Sequence, residues 1–190
     1  MLASILWIGG CLGVPAPQDH FYRLELPDRK ERFDPPPLPG TLQVTRPWAD
    51  ALTSERQLIF RHTHESSRLR RHAYHRWVDS PTLILQQEIA HYLRTSHIAE
   101  QVVTPELRVN EDYVLTCRIA KFEHVVGELP RVVMELELSI TQVKNRQVLL
   151  LQTYREEQAT ENPKASTAVI AYNLALTNIL NRFLTDSSQL

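Results

Sequence analysis

The chain has 190 residues, 43% hydrophobic and 23% charged, a balance that supports one packed domain and excludes wholesale disorder. Lys and Arg number 21 against 22 Asp and Glu, and a net charge of −1 argues against a nucleic-acid binder, whose affinity comes from neutralising phosphates. Two cysteines exclude a disulfide scaffold and a structural zinc site, five glycines without a Gly-rich loop exclude the usual phosphate cradle, and no run reaches the roughly 20 apolar residues of a spanning helix.

Residues 1–8 form a short apolar run that meets Gly9, Gly10 and then Cys11. Small residues let a peptidase hold the backbone extended, and Ile8-Gly9-Gly10-Cys11 is similar to a bacterial lipobox. The expectation is a signal segment over 1–10, a lipid thioether on Cys11, and a Pro-rich tether over 11–19. No Lys or Arg precedes Cys11, a departure from the charged start of a signal peptide that points to a start codon placed too late. Leu12 stands where an Asp would retain a lipoprotein at the inner membrane, so the sorting rule implies the outer membrane.

Residues 20–186 read as one domain. A partly alternating strand covers 20–26, a Pro-rich loop 28–40, and a second strand 41–47. Residues 57–61 and 70–74 form hairpin arms across Glu65, Ser66 and Ser67. Ser80 as N-cap and Pro81 at the first helical position open a helix to Ser96, with Leu85, Ile89 and Leu93 as its apolar stripe. Tyr113, Leu115, Cys117 and Ile119 alternate along one strand, and Val132, Met134, Leu136, Leu138 and Ile140 alternate against Glu135, Glu137 and Ser139 along the next. Asn145-Arg146 turns the chain into a third neighbour over 147–157. A closing helix starts at Asn162-Pro163, with Ala168, Tyr172, Ala175, Leu176, Ile179 and Phe183 facing inward. The predicted class is α+β: a mostly antiparallel sheet with two helices packed against it, in two strand-then-helix halves.

Catalytic patterns are missing. There is no Gly-x-Ser-x-Gly and no His-Glu-x-x-His; Ser66, Ser67 and Ser80 belong to a turn and a cap. Cys117 lies on an apolar face, where a thiol is inert, and Glu135 and Glu137 share a solvated one. Of the eight histidines, His62, His64, His72 and His75 fall on the hairpin, where they read as solvent-facing side chains without a metal. The same hairpin carries Arg61, Arg68, Arg70 and Arg71, with Tyr74 and Trp77 beside them, a mixture enriched at protein interfaces; this is the candidate interface.

The chain resembles the ABC-type transport auxiliary lipoproteins, the PqiC-like group that accompanies MCE-type lipid transporters of Gram-negative bacteria. The features are Cys11, Tyr22-Arg23-Leu24, Val44-Thr45-Arg46-Pro47, Tyr74-His75-Arg76-Trp77 leading to Pro81, Asp112-Tyr113-Val114-Leu115 through Lys121-Phe122-Glu123, and the Ala-rich closing helix. The resemblance implies a non-enzymatic, outer-membrane-anchored lipoprotein facing the periplasm. It would carry no cofactor beyond the lipid on Cys11, assemble as a homo-oligomer, and receive the distal end of an MCE protein's channel. Two other readings stay open: a carrier with a lipid cavity of its own, and an envelope-assembly factor unrelated to lipid.

Overall fold

A computed structural model describes residues 17–190; the expected signal segment, Cys11 and most of the tether lie outside them. The centre is a meander of three long strands, β6 (Tyr113–Val126), β7 (Arg131–Gln142) and β8 (Gln147–Ala159), paired antiparallel. The free side of β6 is shared by two shorter strands. Its N-terminal end pairs with β2 (Leu38–Val44), which pairs in turn with β5 (Ala99–Val103). Its C-terminal end pairs with β3 (Gln57–His62), followed by β4 (Arg70–Trp77) and β1 (His20–Tyr22). The sheet is therefore forked, with β1-β4-β3 as one prong and β2-β5 as the other.

The α+β class and the two helices fit, but the expected predominance of antiparallel pairing is wrong. The β1–β4, β2–β5, β2–β6 and β3–β6 pairs are parallel. The sequence reading paired neighbours in the chain, whereas β5 and β6 reach β2 and β3 only after the crossover through α1 (Pro81–Ser96). A long crossover containing a helix returns a strand parallel. Strand β5 went unread because its five residues are too few to show a period and follow directly on the α1 C-terminus, where His97 takes the left-handed conformation.

Both helices lie on one face of the sheet. Leu85, Ile89 and Leu93 bury the stripe of α1, and Ala168, Tyr172, Ala175, Leu176, Ile179 and Phe183 that of α2 (Ala165–Ser187). The Tyr92 hydroxyl donates to Asn181 and ties one helix to the other. Ser80 holds the N-cap position, but its hydroxyl accepts from Arg46 instead of capping the backbone. The closing helix starts later than expected: Asn162 accepts the Lys164 N–H through its side chain, an Asx turn that holds Pro163 outside the helix. Strand β1 is short, yet Leu24 and Leu26 stay buried beyond it, because Asn173 and Glu88 on the helices accept the N–H groups of Glu25 and Leu26.

The alternation of β7 is as read: Val132, Met134, Leu136, Leu138 and Ile140 are fully buried under the helices. The opposite sheet face carries a lattice of ion pairs, Arg118 with Glu137, Arg155 with Glu135, and Arg131 with Glu157. No helix among the described residues is long and apolar enough to cross a membrane.

Candidate functional site

The β3–β4 hairpin carries every described residue of the expected interface, but the fold divides them. Arg61 turns to the sheet face away from the helices and binds Glu123 of β6 at 2.8 Å. Arg70 donates to both oxygens of Glu65 in the turn, and the exposed Arg71 forms a bidentate pair with Glu55. That guanidinium holds the Glu55 carboxyl below its usual range. Arg68 approaches Glu65 only to 3.7 Å and stays largely in water. Tyr74 is 44% exposed, whereas Trp77 is 1% exposed and packs on Phe122 and Tyr172 with ring centroids 5.3 and 5.6 Å away. Trp77 is core, which leaves Arg68, Tyr74 and the outer parts of Arg70 and Arg71 as accessible surface.

Two bulges decide what lies beneath. The register of β4 against β3 slips between the Ile59–Arg71 and Gln57–Arg76 pairs, which turns both Ala73 and Tyr74 outward and sets His72 and His75 near each other at 5.6 Å. The register of β6 against β7 slips between Ile119 and Lys121, so Phe122 and His124 face the helices instead of Lys121 and Glu123. The result is a row of imidazoles: His20 stacked on His75 at 5.1 Å, His75 beside His72, and His72 stacked on His124 at 5.7 Å. Tyr22 and the Nδ1 atom of His75 share a 2.8 Å hydrogen bond, and Phe60 lies 4.4 Å from His72.

The expectation of solvent-facing histidines fits the exposed His64 and fails at His62, His72 and His75, which are partly buried. His124, absent from the sequence reading, is 0% exposed. Neither ring nitrogen of His124 has a hydrogen-bond partner, nor does Nε2 of His72. Burial, reinforced by the neighbouring imidazole, pushes both rings down to about 4. One clue was available: unbroken alternation from Tyr113 would bury Lys121 unpaired, a cost that a bulge removes. Among the described residues no group of three His, Cys, Asp or Glu side chains is placed to hold a metal ion. Cys117 is buried, which pushes its thiol up to about 12.

Residues 22–182 match the family model of the ABC-type transport auxiliary lipoprotein component. The chain belongs to that family. No curated protein sequence matches it. Among solved structures, the auxiliary lipoprotein is similar to protein XCC0632 from Xanthomonas campestris, with 18% identity and a TM-score of 0.75 over 90% of this chain and 98% of that one. An uncharacterised protein aligns with 11% identity and a TM-score of 0.70, over 90% and 99% of the two chains. The hypothetical protein CT253 from Chlamydia trachomatis aligns with 9% identity and a TM-score of 0.52, over 78% and 97%. These likenesses establish a shared fold.

Proposed function

We propose that this lipoprotein is anchored through Cys11 in the outer membrane, faces the periplasm, and serves an MCE-type lipid transport system by docking the distal end of its channel as a homo-oligomer. The observation that carries this reading is the family match over residues 22–182, which makes the chain an auxiliary lipoprotein component of ABC-type transport. The lipobox-like Ile8-Gly9-Gly10-Cys11 and the Pro-rich residues after it supply anchor and tether. The accessible Arg68 and Tyr74 offer a cation and an aromatic surface for a protein partner.

Two cavities among the described residues favour docking over carriage of lipid. One, of about 450 Å³, is lined by Asp28, Arg29, Lys30 and Glu31 among others. The cavity lined by Ile170, Ala171 and Leu174 is about 170 Å³, below the roughly 300–1,000 Å³ usual for a ligand chamber. Crosslinking and pull-down from native envelopes tests the reading. An MCE protein should be captured with the wild-type chain; capture of an outer-membrane assembly protein in its place, or lipid that survives purification, would replace it.

A further inference from the structure

The β1-β4-β3 prong meets the rest of the sheet along a short seam. Its strand pairing is three residues long: Phe60 with His124, Arg61 with Val125, and His62 with Val126. Thr63 adds two hydrogen bonds to the Val126 carbonyl, and Arg61 reaches Glu123 on the outer face. On the inner face the seam is closed by Phe60, His72 and His124. We propose that this seam is an acid-sensitive latch: protonation of the His72–His124 pair parts the β1-β4-β3 prong, with its arginine hairpin, from the central sheet. The latch is independent of which transport system the lipoprotein serves.

Among the described residues no carboxylate pairs with either ring, and the nearby acids Glu65 and Asp19 are engaged by arginines. Strand β1 brings His20 and Tyr22, and β4 brings His75, Arg70 bound to Glu65, and Arg76 beside Asp19. On β3, His62 packs edge-on against Phe60, while Arg61 points to the other face and binds Glu123 there. On β7 the residue paired with His124 is Val132, and the nearest β7 charges, Arg131 and Glu135, pair with β8 on the outer face. Within α2, Tyr172 stacks on Phe122, and the charged groups Arg182 and Asp186 bind β8 side chains. Two protons on His72 and His124 would place like charges 5.7 Å apart, one of them on a ring without access to water. Trp77 keeps the base of the prong fixed, so the parting concentrates at the hairpin end.

The sign follows from linkage. Both rings titrate lower when the seam is closed than when it is open, so the open form binds more protons and gains as pH falls from about 6.5 towards 4. Each ring favours opening by roughly 30-fold between pH 7.5 and 5.0, on values of about 4 closed and 6.5 open.

Hydrogen exchange on the full chain, corrected for intrinsic rates, tests the latch. At pH 5.0 the amides of residues 57–62 and 70–74 should have lost protection by about 30-fold or more relative to pH 7.5, while those of β7 remain protected. His72→Phe/His124→Phe, which keeps the ring stack without titratable nitrogens, should remove that dependence. Carbon-detected titration of the wild-type imidazoles gives a second reading that needs no variant, with midpoints for His72 and His124 expected below 5. Midpoints near 6.5, prong amides that exchange in step with β7, or a double variant with wild-type pH dependence would each overturn the proposal.

Discussion

Arg61 and Glu123 face one another with side chains 12% and 15% exposed, so removing one partner strands the other charge in a largely dry place. Glu123→Ala should lower stability by about 3 kcal/mol in urea denaturation. Glu55→Ala, which frees the exposed Arg71, should leave the same curve unmoved, because water already screens that pair. Gly40 is constrained in another way. It has φ +106°, and a Cβ there would collide with the Asp112 carboxylate, which accepts the Thr41 N–H. Gly40→Ala should therefore cost more than about 1 kcal/mol in the same assay. Counting charges found the arginines of the hairpin. It could not tell Arg61 from Arg68, since the acid that buries Arg61 lies on a strand 62 residues further along the chain.

Strand β7 was readable because its apolar alternation runs unbroken from Met134 to Ile140 and the helices cover one sheet face only. Leu136→Asp should put an unpaired charge in the core and abolish the cooperative thermal melt. Glu137→Lys, on the outer face beside Arg118, should melt close to wild type. Strand β6 was readable only as far as Ile119. Beyond it one extra residue reverses the faces, and strict alternation would have sent His124 to solvent. Deletion of Ala120 would remove the extra residue while Ile119 stays opposite Leu136 and Lys121 opposite Glu135, so Phe122 and His124 remain inward; a soluble, folded variant with a cooperative thermal melt is the expected outcome. The helices were found by their apolar stripes, and the late start of α2 was missed because the Asn162 side chain competes locally with helical hydrogen bonding.

At the scale of the molecule, the fork places the hairpin at the end of one prong and both helices behind the sheet. A docking surface there should respond to side chains that the fold does not use. Arg68→Glu with Tyr74→Ala should leave the melting temperature unchanged and reduce native mass or retention of an MCE protein; wild-type behaviour in both would make the hairpin a solvated face. Cys11→Ser should lose incorporation of a palmitate analogue, and equal labelling of variant and wild type would remove the anchor from the proposal.

The sequence alone carried whatever depends on neighbours a few residues apart: the helical stripes, the inward face of β7, the hairpin and the lipobox-like run. The resemblance it bore to the auxiliary lipoproteins is matched by the family model over residues 22–182. Tertiary structure decided what depends on distant partners. Parallel pairing of β2 and β3 with β6 needs the α1 crossover, and the burial of Trp77 needs Phe122 and Tyr172. The imidazole row needs a bulge in each of two strands that lie far apart in the chain. A one-residue slip reverses every side chain beyond it, and local periodicity carries no mark of where the partner strand forces that slip.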